Sequence, residues 1–151
     1  MAIAVTIETT IARPPVEVFA HIGDIDAWPS WLIASGIVRV ARSSAGPLLE
    51  GEHLMVDQRA AGRAGTFEAT VAALQPPSRL ALHGRDGDGV TIDIDAELAP
   101  ADGGTNLRWS IRIGLPLRYR MFESMARPQV ERAAALDIEA LKRRLESTPA
   151  D

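Results

Sequence analysis

Apolar and polar residues alternate with a period of two over much of this chain. The first segment places Ile3, Val5, Ile7 and Ile11 on one side, and the same alternation returns over Val90–Leu98 and Thr105–Ile113. Such alternation predicts strands of an antiparallel sheet with one apolar and one polar face. Clusters rich in Gly, Pro, Asp and Ser separate the alternating segments and predict hairpin turns: SSAGP, AGRAG, QPPS, DGDG and ADGG.

Two short helices are predicted between the first strand and the rest of the sheet, within Arg13–Leu32. Pro15 suits the first turn of a helix, where the missing amide donor costs little, and Gly23 ends that helix. Trp28 and Trp31 lie three positions apart in the second helical turn, so we expect both rings on one face.

The C-terminal part of the chain, Leu117–Glu146, is predicted to form a long helix. Its interior contains Pro128, which removes a backbone hydrogen bond and crowds the preceding turn, so we expect a kink or break there. Strands followed by a covering helix indicate an α+β fold. The apolar positions at helical spacing are Ala134, Ile138, Leu141 and Leu145.

Opposite charges lie on the polar faces of the two clearest strands. Asp93, Asp95 and Glu97 are on the earlier strand, and Arg108 and Arg112 are on the later one. Opposite charges that face each other across an antiparallel ladder help to fix its register. We therefore expect ion pairs between these two strands.

Composition indicates one domain spanning residues 1–151. Hydrophobic residues make up 46% of 151 residues, and a net charge of −4 arises from 16 basic and 20 acidic residues scattered along the chain. Without a basic stripe, we expect no nucleic-acid binding. The N-terminus lacks a basic leader, no apolar run reaches transmembrane length and cysteine is absent, so we expect a cytoplasmic protein with no transmembrane segment.

No pattern in the chain predicts catalysis or cofactor binding. His21, His53 and His83 lie about thirty residues apart, without the spacing of a metal-ligand cluster. A nucleophile elbow, a phosphate-binding glycine loop and a dinucleotide fingerprint are all absent from the sequence. We therefore expect no metal, no cofactor and no catalytic residue.

Four stretches of the chain resemble the SRPBCC or START-like superfamily, and its polyketide cyclase/dehydrase and lipid-transport branch in particular. The most specific pieces are the Pro-Pro-x-x-Val-Phe helix start, the Trp-Pro-x-Trp turn, the Pro-Pro-x-Arg-Leu before a strand and the Asp-Gly-Gly-Thr hairpin. The stretches are RPPVEVFAHIGDIDAWPSW, GPLLEGEHLMV, ALQPPSRLAL and LAPADGGTNLRWSI. The carbon monoxide dehydrogenase accessory subunit group shares the RLALHGRDGDG and GGT regions more loosely.

The resemblance implies a helix-grip fold, in which a curved antiparallel sheet of about seven strands wraps around the long C-terminal helix and encloses an apolar cavity. It also implies a homodimer. Trp28 and Trp31 match the tryptophan positions of that family. Its members include ligand carriers, sensors, cyclases and chaperone cofactors, so the fold alone does not settle the function.

Residues on the inner sheet face and near Pro128 are the candidates for contact with a ligand. Gln58 is either bonded to backbone near a hairpin end or in contact with the ligand, and Tyr119 either points its hydroxyl into the cavity or lies at the rim. The aromatic and methionine residues line the cavity or form ordinary core. The full set is Trp31, Leu54, Val56, Gln58, Phe67, Ala69, Val71, Ile92, Ile94, Trp109, Ile111, Tyr119, Met121, Phe122 and Met125.

Three functions remain open from the sequence. The leading hypothesis is a binding or transport protein for a small hydrophobic ligand such as a lipid, a polyketide or an aromatic metabolite. The second is a polyketide cyclase or dehydratase, which needs an inward-facing acid or base. The third is an adaptor for a protein partner, which would be favoured by an exposed apolar patch and a filled interior.

Overall fold

Seven strands and three α-helices form the fold in the computed structural model, which describes residues 2–60 and 63–147. Two 3-10 segments, Ile25–Ala27 and Leu117–Phe122, precede the second and third helices. The helices are α1 (Pro15–Ile22), α2 (Trp28–Trp31) and α3 (Glu123–Ser147). The strands are β1 (Ala2–Ile11), β2 (Ile37–Arg42), β3 (His53–Ala60), β4 (Arg63–Gln75), β5 (Arg79–Arg85), β6 (Thr91–Ala101) and β7 (Gly104–Gly114).

The strands form one curved sheet in the order β1-β7-β6-β5-β4-β3-β2, and every neighbouring pair is antiparallel. Consecutive strands from β2 to β7 pair as hairpins, while β1 closes onto β7 at the far edge. The inner face packs on the helices and carries most of the buried residues. The predicted helix-grip fold, with two short helices after the first strand, is therefore confirmed.

Ion pairs on the outer face of the sheet differ from those that the sequence predicts. The ladder places Asp93 opposite Arg112, as expected, yet Asp93 contacts His83 at 2.5 Å. Asp95 binds Arg79 at 2.9 Å. Both carboxylates thus turn toward β5, on the other side of β6, because each strand in a sheet offers partners on two sides and the sequence does not say which is nearer.

The helical insert forms as its sequence pattern predicts. α1 begins at Pro15, whose missing N–H is not needed in the first turn, and the N–H of Gly23 closes the last turn on the Phe19 carbonyl at 2.7 Å. Trp28 and Trp31 both point into the core, where each is at most 2% exposed.

Helix α3 runs through Pro128 without the predicted break. Pro128 lies in the second turn, so its missing N–H removes only the bond to the Ser124 carbonyl and leaves the later turns intact. The change in geometry falls instead at Glu123, where the 3-10 segment gives way to α-helix. None of the helices among the described residues has the length and apolarity needed to cross a membrane.

Candidate ligand-binding site

An apolar cavity of about 30 Å³ lies between the inner face of the sheet and Trp28 of α2. Among the described residues, helix α3, which was expected to enclose the cavity, contributes none to its lining. Strands β3 to β6 supply most of its wall through their inward positions, because alternate side chains of a strand point to the same face. The volume is far below the roughly 300–1,000 Å³ of sites that hold drug-sized ligands. The lining residues are Trp28, Ile37, Val56, Gln58, Phe67, Ala69, Leu82, Gly84, Ile92 and Ile94.

The cavity lies toward the end of the sheet that carries the β3–β4 and β5–β6 hairpins. There Ala69 faces Gly84 across the ladder, and Gly84 in turn faces Ile92. These two small residues lie side by side on the inner face, and a Cβ added at Gly84 would already lie 3.4 Å from Ala69 Cβ and from Ile92 Cγ2. Ile92 and Ile94 are only half-buried although they point inward, so this part of the inner face is not fully covered.

Gln58 is the polar side chain of the lining. Its amide Nε2 donates to the Ser35 carbonyl at 2.9 Å, which ties β3 to the loop between α2 and β2. Since a carbonyl can only accept, the bonded atom must be the amide nitrogen. The backbone bond considered from the sequence is therefore present, and it fixes the orientation of the amide.

Three tryptophans pack edge to face beside the cavity. The ring centroids are 6.2 Å apart for Trp28 and Trp31, 6.0 Å for Trp28 and Trp109, and 5.6 Å for Trp31 and Trp109. The Trp28 indole donates to the Ile22 carbonyl at 2.8 Å, whereas the buried indole N–H groups of Trp31 and Trp109 have no partner among the described residues. Packing of the rings therefore stabilises this cluster more than polar contacts do.

The structure gathers six of the fifteen predicted site residues at the cavity and places five others in the surrounding core. The six are Val56, Gln58, Phe67, Ala69, Ile92 and Ile94. The five are buried but do not line the cavity: Trp31, Leu54, Val71, Trp109 and Ile111.

Tyr119 lies against the end of the sheet rather than inside the cavity. The Arg63 guanidinium is 5.9 Å from its ring centroid, and the Arg118 guanidinium is 4.8 Å from it. Arg118 also donates to the Asp88 carbonyl in the β5–β6 turn. The 3-10 segment is thus held to both hairpin ends next to the cavity.

Met121, Phe122 and Met125 point outward and neither line the cavity nor join the core. Their exposed fractions are 76%, 49% and 67%. The inward side of the same stretch is occupied by Tyr119 and Ala126, which pack on the core. The outward position of Met121, Phe122 and Met125 differs from both the cavity-lining and the core interpretations, and it is the exposed apolar patch that the adaptor hypothesis requires.

Sequence reasoning did not include four residues of the lining, Trp28, Ile37, Leu82 and Gly84. Leu82 and Gly84 continue the alternation of β5 that begins at Leu80, so the period-two pattern could have found them. Trp28 and Ile37 come from two different elements, and only the folded chain brings them to the same wall.

Buried titratable groups lie outside the lining. The Asp137 carboxylate on α3 accepts the backbone N–H groups of Ala34 and Ser35 at 2.8 and 2.9 Å, and burial raises its pKa. A hydrogen bond from Arg42 lowers the pKa of Glu52, and burial lowers the pKa of His21. No group of His, Cys, Asp or Glu residues in the described ranges could hold a metal ion.

A larger depression of about 710 Å³ lies elsewhere, around the ends of β1, β5, β6 and β7. Nine of its twelve wall residues are polar or charged, among them Glu8, Arg79, Glu97 and Arg108. Arg79 and Arg108 are already paired with Asp95 and Glu8. Because it is open and its charges are of mixed sign, we do not assign this depression a ligand.

Comparison with known proteins places the chain among helix-grip proteins. The model of the family described as "Polyketide cyclase / dehydrase and lipid transport" matches residues 2–146. A toxin of Mycobacterium tuberculosis is 27% identical over 107 residues, which are 70% of this chain and 72% of that protein.

Two solved structures share the fold at low sequence identity. The Zhui aromatase/cyclase from a Streptomyces species superposes with a TM-score of 0.77 at 16% identity, covering 97% of this chain and 94% of that one. A START superfamily protein from Mycobacterium smegmatis gives a TM-score of 0.73 at 15% identity, covering 95% and 97%. At such identities the likeness establishes the fold alone.

Proposed function

Because the chain belongs to the polyketide cyclase/dehydrase and lipid transport family, we propose that it binds a small hydrophobic molecule in the cavity on the inner face of the sheet. The observation that carries the proposal is a cavity whose wall is apolar apart from Gln58. Apolar walls with few fixed polar groups are typical of ligand pockets. A lipid, a polyketide or an aromatic metabolite would fit this chemistry.

The cavity must widen before it can hold such a molecule, because about 30 Å³ accommodates little more than a water molecule. The side that includes Ile92 and Ile94 is the one that can widen, since these inward residues are only half-buried. Burial of the ligand would then replace water on these apolar surfaces.

Catalysis of the cyclase type has less support than binding. General acid or base chemistry requires a titratable side chain within hydrogen-bond reach of the substrate. Among the described residues the lining contains no such side chain, and its one polar group, Gln58, already donates to the Ser35 carbonyl. We therefore propose a carrier or sensor rather than an enzyme.

Titration of the purified protein with Nile red, an uncharged apolar fluorophore, tests this proposal. We expect saturable binding and displacement by long-chain lipids or polycyclic aromatics without chemical change of either. Phe67→Asp places a charge in the lining and should weaken binding about tenfold or more. Native mass spectrometry would identify the class of any small molecule that co-purifies.

A milder variant and a matched control keep the experiment decisive. Ile92→Asp alters a half-buried lining residue, and Val38→Asp places the same charge on an exposed position of β2. We expect loss of binding for the first and full binding for the second. Unchanged affinity in folded Phe67→Asp and Ile92→Asp would overturn the proposal.

A further inference from the structure

Four large apolar side chains are exposed within nine consecutive positions at the start of the C-terminal helical region. We call Leu117, Met121, Phe122 and Met125 the apolar patch; Leu117 is 78% exposed and Met121 76%. Single exposed apolar residues are normal on protein surfaces, but a contiguous group marks a surface that contacts something apolar.

The segment that carries the apolar patch has a net positive charge in a chain that is negative overall. Between positions 117 and 127, three arginines and one glutamate give a net charge of +2, while the whole chain carries −4. The glutamate, Glu123, pairs with Arg127 at 3.2 Å, and the side chains of Arg118 and Arg120 belong to exposed residues. Anionic lipid headgroups attract this combination of arginines and apolar side chains.

We propose that the apolar patch docks on the surface of an anionic lipid bilayer. A bilayer accepts flexible side chains such as Met and Leu without shape complementarity. A protein partner instead favours rigid anchors such as Tyr, and the Tyr119 ring of this segment is turned toward Arg63, Arg118 and the core. Met, Phe and Arg are also common at protein interfaces, so it is the net positive charge of the segment that favours an anionic lipid surface over a protein.

The position of the patch links it to the cavity, and this step rests on the proposed function. Arg118 binds the Asp88 carbonyl of the β5–β6 turn, and Arg63 at the start of β4 lies near Tyr119. The docked segment thus lies at the end of the sheet where the cavity is found. An apolar ligand could pass between bilayer and cavity with less exposure to water.

Flotation of the full chain with lipid vesicles tests the docking. We expect binding to vesicles of phosphatidylcholine mixed with phosphatidylglycerol, weaker binding to phosphatidylcholine alone, and a decrease with added salt. The double variant Met121→Glu/Met125→Glu should bind mixed vesicles at least about tenfold more weakly. Arg120→Gln should weaken binding about fivefold.

A control variant separates the patch from general surface polarity. Ile33→Glu/Leu136→Glu changes two side chains that are 70% and 55% exposed outside the patch, and it should bind vesicles like the unaltered protein. Circular dichroism establishes that each variant is folded. Equal vesicle binding by the patch and control variants would overturn the docking. The absence of binding to both kinds of vesicle would overturn it too, as would a dimer that forms through the patch in a protein that does not bind vesicles.

Nile red binding without vesicles distinguishes this inference from the proposed function. The patch variant should keep Nile red binding, and Ile92→Asp should lose it while still floating with mixed vesicles. Patch-dependent flotation without any Nile red binding would support docking and overturn the proposed function. Nile red binding without patch-dependent flotation would support the proposed function and overturn the docking.

Discussion

The two halves of the C-terminal helical region differ in how deeply their apolar side chains are buried. In the second half, Ile138 and Leu141 are at most 2% exposed, whereas Met121 and Met125 at the beginning are more than 60% exposed. The C-terminal helical region is therefore anchored through its second half and only lightly held at its beginning. Regions with few buried apolar contacts open at the lowest free-energy cost.

The anchored half also carries the polar contacts that fix its position. Asp137 binds the backbone of Ala34 and Ser35, and Glu146 accepts the backbone N–H of Ala12 at 2.9 Å. The lightly held half is joined to the sheet mainly through Tyr119 and Arg118 at the hairpin ends. The anchored half therefore contributes more to stability, and the lightly held half moves at a lower free-energy cost. The following substitutions test this difference.

Trp109→Ala should have the largest effect on stability. The ring lies on β7, is 1% exposed and contacts two other indoles, so its removal leaves a large cavity in the core on which the helices pack. We expect the free energy of unfolding in urea to fall by about 3–5 kcal/mol. A loss below that of Met121→Ala, the control in the lightly held half, would contradict the comparison.

Asp137→Ala should have an intermediate effect. It leaves the N–H groups of Ala34 and Ser35 without their acceptor, and both groups are partly reachable by water. We expect a loss of about 1–2 kcal/mol in urea unfolding. The pH dependence of stability gives a second readout, because burial raises the pKa of Asp137.

A raised pKa means that the folded protein holds this proton more tightly than the unfolded chain. Stability from this group is therefore full below the ordinary pKa of an aspartate and declines as pH rises through the raised value. Glu52 and Glu146, whose pKa values are lowered, act in the opposite direction, so the comparison is made against Asp137→Asn. The difference in stability between the two proteins should change over this pH range; a constant difference would contradict the assignment.

Met125→Ala should have the smallest effect. The side chain is exposed and outside the core, so unfolding in urea should change by no more than about 0.5 kcal/mol. Leu141→Ala, the matched change in the anchored half, should cost about 2–5 kcal/mol. Similar losses for the two variants would remove the distinction between the halves.

The sheet was predictable because its signal is local. Alternation along Val90–Leu98 and Thr105–Ile113 depends only on neighbouring residues, and it gave both strands and their inner faces. The inward positions of β3 and β4 followed by the same parity, so Val56, Phe67 and Ala69 reach the cavity.

The features that could not be predicted depend on contacts between segments that are distant in the sequence. The apolar character of Met121 and Phe122 does not reveal whether they face the core or the outside, because the short 3-10 turn changes the direction of successive side chains. Ion-pair choice between the two neighbours of β6 is likewise set by side-chain reach. The volume of the cavity depends on the packing of many side chains at once, so it cannot be predicted from any single residue.

The two hydrogen bonds to the Ser35 backbone bear on the shape of ligand that the cavity could hold. Asp137 on α3 accepts the Ser35 N–H, and Gln58 on β3 donates to the Ser35 carbonyl, so the backbone of this residue joins the helix to the strand. With Gln58 held by this bond, a cavity that enlarges would do so on the side of Ile92 and Ile94, which are half-buried. A flat or elongated molecule would then require a smaller displacement of Ile92 and Ile94 than a spherical molecule of equal volume.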